Sequence, residues 1–249
     1  MTIDDIKLVG LMGGGVMGGG IAQTFAAHGF TTIIRDLNDD LIEKTRHSMV
    51  EGRFGLNGAV ERGKMTKDEY DATVARFSFT KEVGDLRDCD LIVEAVPENL
   101  DLKKSVFAEL DTLAKKEAIF ATNTSGFAIS DINKAVSRRD RFVGFHWFSP
   151  AFIMKPVEIV YAPDTSEATI ATMEAIGARL GKVTIRVKDA PGKYGFVANR
   201  IYFAMVAEAR RVLDEGIASA EDIDTVMKAG FNWPVGPLGM TKGARGGWQ

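Results

Sequence analysis

Lys7-Leu8-Val9-Gly10-Leu11-Met12-Gly13-Gly14-Gly15-Val16-Met17-Gly18 joins an apolar strand to a glycine turn and then to a helix that runs to His28. After Gly29 a second strand, Thr31-Thr32-Ile33-Ile34-Arg35, ends on Asp36. Gly13, Gly15 and Gly18 spell G-x-G-x-x-G, a weak signal by itself in a chain with 26 glycines. Its setting makes it strong: a strand before it, an amphipathic helix behind it, and an acid roughly twenty residues on at the tip of the next strand. The first glycine permits the tight turn, the second lets a pyrophosphate approach the backbone, and the third lets helix and strand pack closely. The helix N-terminus at Val16 and Met17 offers N–H groups and a positive dipole end to phosphate. Gly13, Gly15, Val16, Met17 and Gly18 are thus the candidate phosphate loop. Asp36 is the candidate acceptor for ribose hydroxyls, and its charge selects NAD over NADP because it repels a 2′-phosphate. The competing explanation is a glycine-rich turn in an ordinary α/β protein.

Past Asp36 the pattern alternates between helix and strand. Asp39 to about Arg76 is charge-rich, with apolar residues spaced as in a pair of surface helices broken near Gly63. Thr66-x-x-Glu69 caps the second of them. Arg53, Arg62, Lys64 and Lys67 on this arm are candidates to meet a phosphorylated substrate tail, although such an arm is more often a solvated face. Buried runs at Leu91-Ile92-Val93 and Ile119-Phe120-Ala121-Thr122 flank a helix from about Leu100 to Lys115. This alternation implies an α/β fold with a doubly wound parallel sheet of Rossmann type, its ligand crevice at the strand C-terminal ends. Glu94, Asn99, Asn123 and Ser125 all sit at such ends, beside the expected cofactor.

Arg141 to Pro150 reads as a strand ending in a turn, and Pro156 to Tyr161 as a second strand folding back antiparallel to the first. A helix from Ser166 to Leu180 and a strand from Val183 to Val187 would close the sheet. The strand pattern stops at Pro191-Gly192, and helices follow from Phe196 to Asp214 and beyond Ser219. A boundary near Ala190 therefore divides a dinucleotide-binding domain, 1–189, from a smaller all-helical domain, 190–249.

Lys+Arg of 31 against Asp+Glu of 34 leaves a net charge of −3, so no basic field recruits nucleic acid or an acidic membrane. Cys89 is the only cysteine, no stretch of apolar residues is long enough to span a membrane, and acids stand near Met1 where a targeting peptide would carry lysine or arginine. A cytoplasmic protein is expected.

Of the three histidines, His146 is the chemical candidate. Among Phe145 and Trp147 it could equally be a hydrogen-bonded core residue. Glu158 shifts the balance, since two strands turning near Phe152 would set residues 146 and 158 opposite each other. A carboxylate on one imidazole nitrogen fixes the tautomer and stabilises the imidazolium, leaving the other nitrogen to act as acid or base.

Gly13 to Gly18 with Ile21-Ala22-Gln23, Val93-Glu94-Ala95, Glu98-Asn99-Leu100, Asn123-Thr124-Ser125, Gly144-Phe145-His146, Val157-Glu158, Gly181-Lys182, Asn199-Arg200 and Gly236-Pro237 occur in order. In this combination the chain resembles the L-3-hydroxyacyl-CoA dehydrogenase family, 3-hydroxybutyryl-CoA dehydrogenases included. The resemblance implies NAD-dependent interconversion of a 3-hydroxyacyl-CoA and its 3-oxoacyl-CoA, with an acyl-CoA substrate bound between two domains and a homodimer as the assembly. It implies that His146 is the general base or acid, that Glu158 orients it, and that Ser125 and Asn199 hydrogen-bond the reacting oxygen and its surroundings. Glu94 and Asn99 would line the nicotinamide half of the cofactor. Read without the resemblance, Asn199 is a polar residue in the first turn of an amphipathic helix. Three departures stand out: Ser149, among the cofactor contacts, replaces the usual asparagine; Trp147 replaces phenylalanine; and the Pro-Gly-Phe break is expanded to Pro191-Gly192-Lys193-Tyr194-Gly195-Phe196. The chain also ends soon after Gly236-Pro237, where the family continues through further helices. Two other functions compete: a dehydrogenase of a non-CoA hydroxy acid, and a catalytically silent NAD-binding protein.

Overall fold

The computed structural model describes residues 1–245, leaving Gly246, Gly247, Trp248 and Gln249 outside the description. Eight strands form one sheet in the order β3-β2-β1-β4-β5-β6-β7-β8. They are β1 Leu8–Met12, β2 Thr31–Arg35, β3 Phe77–Thr80, β4 Leu91–Glu94, β5 Ile119–Thr122, β6 Phe142–Trp147, β7 Pro156–Tyr161 and β8 Val183–Lys188. β3 through β6 run parallel, β7 is antiparallel to β6, and β8 is parallel to β7. The order reverses between β1 and β4, which opens the crevice of a doubly wound sheet at their C-terminal ends. β4 and β5 are buried at every position, as parallel strands covered on both faces must be.

Helix α1, Val16–Ala27, is buried along nearly its whole length from Gly18 to Ala26. An apolar surface on all sides suits a helix packed between the sheet and an outer layer. That outer layer is the charged arm, which forms three helices where the sequence reads as two: α2 Asp39–Val50, α3 Leu56–Glu61 and α4 Lys67–Val74. The chain doubles back between α2 and α3 so tightly that a Cβ on Gly55 would lie 2.6 Å from the Val50 carbonyl oxygen. Helical periodicity runs through that turn, and only the small residue records the break. Asn38 caps α2, Thr66 caps α4 as its sequence pattern predicts, Asn99 caps α5 (Leu100–Leu113) and Ser166 caps α7 (Glu167–Arg179). A short α6, Ile129–Ile132, lies against β6 on the sheet face away from α1, since a Cβ on Gly144 would strike Ile129.

The chain divides into two compact units, Met1–Tyr194 and a second that begins at Gly195. The second unit thus begins five residues past Ala190. Past the end of β8, the Asp189 carboxylate still accepts from the N–H groups of Ile129 and Ser130, and the Tyr194 hydroxyl still donates to Glu98. The second unit contains α8 Val197–Asp214, α9 Ala220–Phe231 and α10 Pro237–Arg245, with Ser219 capping α9. Among the described residues, no helix is long and apolar enough to cross a membrane.

Candidate active site

The glycine turn shows three different spatial demands. Gly13 takes φ +98°, a backbone that other residues resist, and a Cβ there would touch the Ala95 carbonyl. A Cβ on Gly18 would lie 1.8 Å from the Gly13 carbonyl oxygen, so helix and turn meet as backbone on backbone. Gly15, the N-cap of α1, faces open space within 4 Å of its Cβ position. This is the cradle a pyrophosphate needs, beside the unpaired N–H groups of Val16 and Met17. Asp36 stands at the tip of β2, where one carboxylate oxygen accepts from Gly14 N at 2.9 Å and the other from Leu37 N at 2.8 Å. It shapes the glycine turn as well as adding charge beside it. Thr45 on α2 holds the same turn through the Gly14 carbonyl.

At the end of β4, Glu94 is fully buried and its two oxygens accept from Lys103 Nζ, Val96 N and Thr122 Oγ1, each at 2.7 Å. It presents no exposed oxygen to a cofactor, contrary to the expected contact. Burial pushes its carboxyl above the ordinary range, opposed by the Lys103 ammonium. Lys103 is 1 % exposed and also approaches Glu98 Oε2 at 3.2 Å and the Val96 carbonyl. Glu98, one-third exposed, then holds the next strand end, for its Oε1 accepts from Thr124 Oγ1 at 2.6 Å and Ser125 N at 2.9 Å. Sequence reasoning missed Lys103 and Glu98. The signal was present: Lys103, Phe107 and Leu110 lie on one face of α5, and the lysine occupies an apolar position. Asn99 is exposed, and its side-chain oxygen caps α5 by accepting from Leu102 N. Asn123 Oδ1 accepts from Trp147 N and ties the end of β5 to β6.

The antiparallel register pairs Gly144 with Val160, Phe145 with Ile159 and His146 with Glu158. His146 Nδ1 lies 2.7 Å from Glu158 Oε2, and both side chains are under 5 % exposed. Strand alternation sends neighbours to opposite faces. Trp147 therefore packs against Phe25 of α1 and Phe145's ring edge, whereas His146 faces the α6 side with Phe148 at 4.8 Å. Trp147 is a core residue, and its indole nitrogen has no hydrogen-bond partner. Ser149 is exposed just past β6, in a cis peptide bond with Pro150. Beneath that loop, Lys182 donates to the carbonyls of Ala151 and Met154. Asn199, half-buried, lies in the first turn of α8 in the second unit.

Four arm cations were candidates for a phosphorylated tail. Arg53, Arg62 and Lys64 line one cavity of about 710 Å³ beside α1, with Phe54, Phe152 and Ile153, and no acidic residue lines it. Lys67 instead pairs with Asp71 one turn along α4.

Residues 8–190 match the family model described as "3-hydroxyacyl-CoA dehydrogenase, NAD binding domain", and residues 195–244 match its "C-terminal domain" counterpart. The chain is 39 % identical over 236 residues to the mitochondrial hydroxyacyl-coenzyme A dehydrogenase of Rattus norvegicus, covering 94 % of this chain and 74 % of that one. It is 37 % identical over 230 residues to the 3-hydroxybutyryl-CoA dehydrogenase of Clostridioides difficile, covering 92 % and 80 %. The crystal structure of (S)-3-hydroxybutyryl-CoA dehydrogenase from Ralstonia eutropha superposes with a TM-score of 0.89 at 38 % identity, covering 94 % and 80 %. With both domain models matched in order on either side of the division at Tyr194, the chain belongs to the 3-hydroxyacyl-CoA dehydrogenase family.

Proposed function

We propose that His146 is the proton-transfer residue of an NAD-dependent 3-hydroxyacyl-CoA dehydrogenase and that Glu158 holds it in the working tautomer. The observation that carries this assignment is the buried 2.7 Å bond from His146 Nδ1 to the Glu158 carboxylate. It leaves proton transfer to Nε2 and stabilises the imidazolium that forms as an alcohol gives up its proton. NAD, held at the Gly13–Gly18 turn, supplies the acceptor for the hydride that leaves the same carbon. Ser125 and Asn199 are assigned to hydrogen bonds with the reacting oxygen. Ser125 suits that work because Glu98 pins its backbone at a strand end of the crevice. Gly15, Val16, Met17, Asp36, Asn99 and Ser149 are assigned to the cofactor, and the buried Glu94 supports that end of the sheet from within.

The substrate class follows the family, and Arg53, Arg62 and Lys64 are assigned to the phosphates of CoA. Their cavity lies on the α1 side of the sheet and His146 faces the α6 side, so a ligand reaching both passes over the strand ends. A cytoplasmic location is supported by the one cysteine, Cys89, which is buried and outside any disulfide. A homodimer is supported by Ile201, Phe203, Val226 and Phe231, large apolar side chains of α8 and α9 that are more than half exposed.

The deciding experiment measures NADH oxidation with acetoacetyl-CoA and with free acetoacetate. Turnover of the thioester at a far lower KM than the free acid is expected. Equal KM values would favour a dehydrogenase of a non-CoA hydroxy acid, and no turnover of either would favour a silent NAD-binding protein.

A further inference from the structure

Tyr194 belongs to the expanded break between the units, and it is the last residue of the first one. Its hydroxyl donates to Glu98 Oε1 at 3.3 Å, the same oxygen that accepts from Thr124 Oγ1 and Ser125 N. Its ring meets Phe127 edge to face, with centroids 5.7 Å apart and planes at 85°. Phe127 is part of the Ser125 turn, its N–H donating to Thr124 Oγ1. One side chain thus grips the turn twice, through a carboxylate before Ser125 and an aromatic ring after it. The backbone is shaped for this grip: Gly192 and Gly195, at φ +76° and +88°, bracket Lys193 and Tyr194 with conformations that L side chains resist. Partial burial, then the Glu98 charge, push the Tyr194 hydroxyl above its ordinary range, so it stays a donor at neutral and mildly alkaline pH.

We infer that Tyr194 is a positioning residue for Ser125, acting through Glu98 and Phe127 to hold the Ser125 hydroxyl at the reacting oxygen. This rests on the assignment of Ser125 above. Glu98 is already fixed on its other oxygen by Lys103, so the Tyr194 hydrogen bond adds to a preset anchor, the turn itself being the part left to restrain. The substrate then meets a hydroxyl whose backbone is held before it arrives, and the advantage appears in kcat.

The test is a cycle of Tyr194→Phe, Ser125→Ala and the double variant, assayed for acetoacetyl-CoA reduction. Tyr194→Phe keeps the ring on Phe127 and removes the donor, and is expected to lower kcat about fivefold with the KM for NADH unchanged. In the Ser125→Ala background the same change is expected to have no further effect, because the hydroxyl to be positioned is gone. Full additivity, the result of a merely structural tyrosine, overturns the inference. Amide hydrogen exchange at 124–127, read without any substrate, is expected to quicken about fivefold in Tyr194→Phe at unchanged Tm. Unchanged exchange also overturns it. An inactive wild-type enzyme would defeat the function assigned above and leave the exchange measurement to decide the role of Tyr194.

Discussion

Two buried carboxylates, Glu94 and Glu158, each lie 2.7 Å from a nitrogen, and they differ in what the nitrogen can do. Glu94 meets the ammonium of Lys103 together with a backbone N–H and a threonine hydroxyl. It is a closed set of donors around a fixed charge, placed behind the end of β4. Glu158 meets an imidazole, a group that can donate or accept a proton through its ring nitrogens. The same bond length thus fits a closed architectural pair in one strand and the proton-transfer role proposed for His146 in another, because the partner's chemistry differs. Burial and distance alone do not separate the two.

The largest expected effect breaks the first pair. Lys103→Met leaves Glu94 without its counter-charge in the interior and is expected to cost about 3–5 kcal/mol in denaturant unfolding. Adding Glu94→Gln should recover a large part of that loss. A double variant as unstable as Lys103→Met alone would show that packing, not charge, dominates there.

Breaking the second pair should leave folding largely intact and strike turnover. His146→Gln and Glu158→Gln are each expected to lower kcat roughly 10²-fold or more, with NADH affinity little changed. Their effects should combine less than additively, since the two act as one unit. Wild-type kcat in Glu158→Gln at neutral pH would return that carboxylate to the status of Glu94.

Asp36 is a third case, a carboxylate tied to the Gly14 and Leu37 N–H groups and proposed to accept from a cofactor's ribose. A preference for NADH over NADPH of about tenfold or more in kcat/KM is expected, each factor of ten being about 1.4 kcal/mol. Equal values for the two cofactors would remove Asp36 from the recognition set.

The smallest effect concerns a buried amine that, among the described residues, pairs with no carboxylate. Lys182 holds the loop after β6 by two carbonyls, and burial, then the charge of Lys155, bring its pKa down to about 8 from 10.5. Between about 8 and 10.5 the unfolded chain carries a proton that the folded chain has released, so stability rises with pH across that window. Denaturant midpoints of wild type relative to Lys182→Met should therefore increase from pH 8 to pH 10. A constant difference would mean that Lys182 keeps its proton in the fold.

Much of this was legible in the chain before any coordinates. The glycine turn, the alternation of elements and the caps at Thr66 and Ser219 depend on residues a few positions apart, and local sterics set them. The register of His146 against Glu158 was legible as well, because a short reversal between two strands leaves few alternatives and slipping by one residue would turn Trp147 away from Phe25. Other features were decided only when distant segments met. Lys103 reads as a surface lysine until the end of β4 presents Glu94 to it, and Glu98 reads as a loop acid until Thr124, Ser125 and Tyr194 converge on it. The physical reason is the same throughout: periodicity and turn sterics are short-range and repeat along the chain, whereas the partner of a buried polar group is whatever the packed sheet brings within about 3 Å of it.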